Sequence, residues 1–234
     1  MRASLPAVSE VNVKNITDLV GIDRVTFVAH LKKDDGSMRS KFTKVAETFH
    51  DQFVFGIADD KRLAAKEKIE LPSIIAYQTD VGDQEVLHGV VKPSVIESFV
   101  RDAGKPLIDE LTRRNELNYM SSNKLIAYIV VSDEADRASL RRKLHPVAKQ
   151  YKGYVNFVTI NAIEYGHMAA SLGLHRGHCP MFTLYSAWKD QVFPYPTVEQ
   201  IEADNIEEFL LEILHGKRAP WNPAGAGHGQ HDEL

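Results

Sequence analysis

Apolar and polar positions fall into two successive runs of the same order. In the first, residues 25–31 read as a buried strand. Lys32-Lys33-Asp34-Asp35-Gly36 is a turn. Phe42, Val45, Ala46 and Phe49 recur at i, i+3, i+4, i+7, which predicts one face of a helix. Residues 53–57 form a second strand, and strand–helix–strand at this length predicts a parallel βαβ unit. The polar, Ala- and Lys-rich stretch 61–68 predicts another helix. Pro72 then opens a third strand, Val81-Gly82-Asp83-Gln84 turns, and residues 85–91 return. A last helix presents Val95, Ile96, Phe99 and Val100. Ser94 and Glu97 have capping-box spacing and Gly104 marks its end. Ahead of this run, residues 6–12 are weakly strand-like.

The order then restarts. Residues 106–111 predict a short strand, 112–121 a helix and 125–131 a buried strand. Leu140, Leu144, Val147, Ala148 and Tyr151 mark a long helix, with Pro146 inside it as a kink site. Residues 155–160 predict a strand, and 163–172 a helix stopped by Gly173. Pro180 opens a strand, Lys189-Asp190 turns, and 191–193 return. Asp204 with Glu207 is the cap expected for a helix with the stripe Ile206, Phe209, Leu210, Ile213, Leu214, stopped by Gly216. Pro72 and Pro180 lie about one domain length apart, each opening an apolar strand. Proline donates nothing to a ladder and is tolerated at a strand's first residue. Both are candidates for cis peptide bonds. The expected class is therefore α/β: two domains, 1–105 and 106–217, each a mixed sheet with helices on both faces. Residues 218–234 form a tail of linker composition.

Composition narrows the chemistry. The 234 residues are 44% hydrophobic and 26% charged with net charge −4, too little charge for a solvating acidic chain and the wrong sign for nucleic acid. The longest apolar run, 125–131, is far short of a membrane span. A single cysteine, Cys179, rules out an internal disulfide and any Cys-x-x-Cys within these residues. Cys179 beside His175 and His178 raises the question of a reactive thiol, but packing is the expected role. His167, His175, His178 and Cys179 have irregular spacing and no carboxylate in the loop, so no metal site is expected. No cofactor fingerprint or catalytic triad is visible, so no cofactor and no catalytic residue are assigned. Asn15-Ile16-Thr17 is a glycosylation sequon. His231-Asp232-Glu233-Leu234 matches the endoplasmic-reticulum retention signal, which calls for a retention-signal receptor and a lumenal location. Residues 1–6 lack the apolar core of a secretory leader, so the natural chain is expected to begin earlier.

The detail carries a resemblance. Arg142-Lys143-Leu144-His145-Pro146-Val147-Ala148-Lys149-Gln150-Tyr151-Lys152-Gly153 followed by Asn156-Phe157-Val158-Thr159-Ile160-Asn161-Ala162 resembles the b′ domain of protein disulfide isomerases. Ser4-Leu5-Pro6-Ala7-Val8-Ser9 and Phe55-Gly56-Ile57-Ala58-Asp59 resemble the preceding b domain of fungal members. The likeness runs from residue 4 to about 218 and implies two tandem thioredoxin-like folds. The Cys-x-x-Cys of the family's catalytic domains is missing, so a redox-inactive, chaperone-like protein that binds unfolded polypeptides is expected. A catalytic disulfide isomerase family member is a further possible partner. The alternative is a stretch of a disulfide isomerase, a thiol–disulfide oxidoreductase, whose catalytic domains lie outside these residues. The resemblance places a hydrophobic peptide pocket on the face of the second domain that carries Leu117, Tyr119, Met120, Tyr165, Met168 and Leu172. Methionines suit such a surface because the thioether adapts to many partners. Trp221, in a proline-flanked linker, is expected to fold back and cap that pocket, because an indole is costly to leave in water.

Overall fold

The computed structural model describes residues 6–174 and 179–222. They divide between Pro106 and Leu107 into two units. The first runs β1 (Ser9–Val11), α1 (Ile16–Val20), β2 (Val25–His30), α2 (Gly36–Phe49), β3 (Val54–Ala58), α3 (Lys61–Lys66), β4 (Ser73–Gln78), β5 (Asp83–His88) and α4 (Pro93–Ala103). Its sheet has the order β1-β3-β2-β4-β5, with β1, β3 and β2 parallel and β4 and β5 antiparallel. Side chains alternate across the strands. Phe27, Ala29, Phe55 and Ile74 pack under α2 and α4 with Phe42, Val45, Ile96 and Val100. Val28, Val54 and Ala58 pack on the opposite side with Leu19 of α1 and Leu63 of α3.

The second unit repeats this plan: β6 (Ile108–Glu110), α5 (Glu116–Met120), β7 (Leu125–Val131), α6 (Glu134–Tyr151), β8 (Val155–Asn161), a 3-10 turn (Gly166–Met168), β9 (Met181–Ser186), β10 (Gln191–Pro194) and α7 (Ala203–Leu214). The sheet order is β10-β9-β7-β8-β6. Leu125, Ala127, Ile129 and Val131 of β7 meet α6 and α7 through Leu144, Val147, Ile206 and Leu210. Phe182, Tyr195 and Phe209 meet edge-to-face there, with centroids 5.1–6.2 Å apart. Such pairs add directional stability to the area they bury. Ile126, Tyr128 and Val130 face the other way.

The repeat extends to single hydrogen bonds. Asn15 accepts from the Asn12 N–H at 2.7 Å through Oδ1 and donates from Nδ2 to the Glu10 carbonyl at 2.9 Å. Asn115 accepts from the Thr112 N–H at 2.7 Å and donates to the Glu110 carbonyl at 2.8 Å. In both units one amide ties the end of the first strand to the start of the first helix. The first residue of the sequon is thus a structural amide.

Pro72 and Pro180 sit immediately before β4 and β9, and the Leu71–Pro72 and Cys179–Pro180 peptide bonds are both cis. Other expectations are corrected. The short helix α1 was not foreseen, because only Leu19 of its five residues is buried and no apolar period shows. The helix expected over 163–172 is a single 3-10 turn flanked by further turns. Asn161 Oδ1 accepts from the Ile163 and Glu164 N–H groups, and the Leu174 N–H closes back on Ala169. Successive tight turns therefore take up the backbone groups that a helix would have paired. Ser94 does not cap α4: Lys92 is the cap residue and Pro93 opens the helix with its ready-set φ. Nor does Asp204 cap α7; the cap residue is Glu202, whose carboxylate pairs with Lys143.

Candidate functional site

The second unit's open face holds a cavity of about 370 Å³ where β7, β8 and β9 converge beside the cis Cys179–Pro180 bond. Its floor is Val130 of β7, Ile160 of β8 and Met181 of β9, and its wall is the turn region, with Ile163, Tyr165, His167, Ala169, Leu172 and Leu174. Among the described residues no carboxylate, lysine or arginine lines it. Tyr165 and Cys179 are the acidic-proton groups at the wall. Burial pushes both up from their ordinary pKa values, and the charge of Asp136 adds to this for Cys179. Both stay protonated at neutral pH, so Cys179 is a poor nucleophile. The cavity suits an uncharged, apolar guest.

The first unit serves as an internal control. There the same ladder position carries polar groups: His30 lies opposite Ser73 and Ala58, whereas Val130 lies opposite Met181 and Ile160. His30 is buried, its Nε2 lies 3.2 Å from the Tyr77 hydroxyl, and burial lowers its pKa to about 4. The helix α3 also drops a fully buried Leu63 onto that face. In the second unit a 3-10 turn stands where α3 would lie, and the matching strand ends are apolar.

The six residues expected to form the pocket separate into groups. Tyr165 and Leu172 line the cavity. Met168 packs on the same apolar cluster without lining it. Tyr119 is held away by its hydroxyl, which donates to Asp109 at 2.8 Å. Met120 is 36% exposed, and its Sδ lies 3.7 Å from the Tyr128 hydroxyl. Leu117 is 78% exposed on α5 and meets nothing of the cavity. The residues that sequence reasoning missed are strand-end positions, Val130, Ile160 and Met181, together with His167 and Leu174. For the three strand ends the signal available was register: Val130 pairs with both Ile160 and Met181, at the ladder rung next to a cis proline. The backbone N–H of Trp221 donates to the Val192 carbonyl at 2.8 Å, and its ring lies against Gly173, the residue after Leu172. It adjoins the cavity wall and does not line the cavity. Among the described residues no cluster of three or more His, Cys, Asp or Glu is placed to hold a metal. His175, His178 and the 231–234 signal lie outside the described residues. No helix among them is long and apolar enough to cross a membrane.

A family model described as a thioredoxin-like domain matches residues 31–212. The chain belongs to the thioredoxin-like domain family. Its relatives include the protein disulfide-isomerases of Aspergillus niger, 30% identical over 94% of this chain and 43% of that protein, and of Humicola insolens, 32% identical over 94% and 44%. The chain thus spans under half the length of these relatives. Among solved structures, the bb fragment of ERp72 superposes with a TM-score of 0.59 at 18% identity, covering 93% of this chain and all of that one. Human ERp44 gives 0.54 at 17%, covering 90% and 58%. At such identities the likeness is one of fold. Both units have the thioredoxin-like fold, and with one cysteine these residues hold no dithiol pair.

Proposed function

We propose that the second thioredoxin-like unit grips non-native polypeptide segments by seating their apolar side chains in the cavity between Val130, Ile160, Met181 and the 163–174 turns. No thiol exchange of its own is involved. The observation that carries this reading is the contrast within one chain: polar His30, Ser73 and Tyr77 in the first unit against Val130, Met181 and an open cavity in the second. The terminal His-Asp-Glu-Leu supports work in the endoplasmic-reticulum lumen. Trp221, leaning on the turn that follows Leu172, is proposed to compete with a seated client.

The test is fluorescence anisotropy with labelled ribonuclease that has been reduced and carboxymethylated so that it stays unfolded. Ile163→Asp and His167→Asp, both at exposed positions that line the cavity, are expected to weaken binding about tenfold, whereas Leu117→Asp leaves it unchanged. Unaltered affinity in both folded variants removes the assignment. A second reading, a stretch of a longer disulfide isomerase, is favoured by the share of the relatives' length that is matched. Reduction of insulin by the protein purified from its native source separates the two.

A further inference from the structure

A second surface lies at the opposite end of the same sheet, where β7 begins and the β9–β10 hairpin turns. A groove of about 390 Å³ runs there between Tyr154, Trp188 and Leu214. Trp188 is 51% exposed and Tyr154 67%. Exposed aromatic groups gathered in one concavity mark recognition sites far more often than scattered ones do. The first unit again gives the contrast. At the matching places it has Gln52 after α2, Thr79 and Asp80 in the hairpin and Gly104 after α4, and the Phe53 ring closes onto Gly104. The groove is therefore specific to the second unit and is not dictated by the fold.

Two observations define the guest. Among the described residues the lining contains Lys189 and Arg218 and no carboxylate. Arg218 is already held by Glu212 at 2.8 Å and lies over the Phe209 ring, but Lys189 has no ion pair among the described residues. Lys152 and Lys217 flank the lining residues Gly153 and Gly216, and neither has an ion pair there either. Second, Ser186 lines the groove, is 2% exposed, and its Oγ has no hydrogen-bond partner. A buried hydroxyl left unpaired is costly and is satisfied by a donor or acceptor brought by a guest. From the aromatic walls, the unpaired cations and this hydroxyl, we infer that the groove docks an acidic polypeptide segment carrying a bulky apolar anchor. It is a site separate from the client cavity and does not depend on that reading.

The experiment uses the full chain and a fluorescein-labelled Glu-rich peptide with a central Trp-Leu pair, alongside its Gln-for-Glu counterpart. Anisotropy at low salt is expected to show the Glu peptide binding about tenfold more tightly than the Gln peptide, an advantage that salt erodes. Trp188→Ala and Lys189→Glu should each weaken the Glu peptide about tenfold. Ile163→Asp, at the other cavity, should leave it unchanged. Thermal unfolding of each variant confirms that the fold is kept; Tyr154→Ala, at an exposed turn, repeats the test if Trp188→Ala unfolds. Equal binding of the two peptides, no binding at all, or affinity indifferent to Trp188 and Tyr154 overturns the proposal.

Discussion

Gly173 is the position where one methyl group tests the Trp221 strap. Its φ is +66°, a left-handed conformation that costs an L-residue about 1–2 kcal/mol. A Cβ added there falls 3.0 Å from Trp221 Cδ2, 3.3 Å from Trp221 Cγ and 3.1 Å from Pro194 Cγ. These separations require the indole to give by a few tenths of an ångström, and overpacking of this kind costs about 1–3 kcal/mol. Gly173→Ala should therefore destabilise the second unit by about 3 kcal/mol. The two contributions can be separated. In a Trp221→Ala background the indole's share of the steric part falls away while the Pro194 contact and the backbone part remain, so the cost of Gly173→Ala should drop by about 1 kcal/mol. Urea unfolding followed by tryptophan fluorescence reads this cleanly. Trp188 and Trp221 both belong to the second unit, so the signal reports that unit alone. Trp188 remains as the probe once Trp221 is gone. Strict additivity of the two substitutions would refute the packing of indole on glycine.

Two further outcomes follow from the paired units. Asn15→Ala and Asn115→Ala each remove an acceptor for a backbone N–H and a donor to a backbone carbonyl, so each should cost its own unit about 1–2 kcal/mol; amide hydrogen exchange of 9–20 and 108–120 reads both, and a silent substitution at either site breaks the equivalence. His30 has a folded pKa of about 4 against 6.5 for the free side chain, so the unfolded chain takes up the proton first. Its contribution to stability is whole above pH 6.5 and is lost as pH falls from 6.5 toward 4. The first unit should be about 2 kcal/mol less stable at pH 5 than at pH 7 from this group, and His30→Val should remove that slope; a slope unchanged in the variant sinks the assignment.

The sheets were legible because strand burial writes itself as alternation or as unbroken apolar runs, as in residues 125–131. The prolines were legible because few places in a sheet accept them. The 163–172 stretch misled for a physical reason. Tyr165, Ala169 and Leu172 keep helical spacing because they must reach one face, yet side-chain spacing says nothing about which backbone bonds form. The cavity was half legible. Tyr165 and Leu172 are reached through the resemblance, which places a pocket on that face of the second domain, while Val130, Ile160 and Met181 look like any other buried strand residue. Only the pairing register, a property of distant segments, gathers these three at one rung. Leu117 and Met120 lie on the short helix α5 outside the cavity lining, a placement that apolar character alone does not decide, since exposed hydrophobic residues are common.

The hydrogen bond from Trp221 to Val192 has a bearing on solubility. β10 is an outermost strand, and an unpaired flank of a sheet is a template onto which a neighbouring molecule can add its own strand. Here that flank is partly occupied from within: a carbonyl of β10 is taken by the chain's own backbone, and the next residue but one is a proline. The segment after the last helix thus works as a guard rail, and its loss would turn a quiet margin of the molecule into a place where copies zip together.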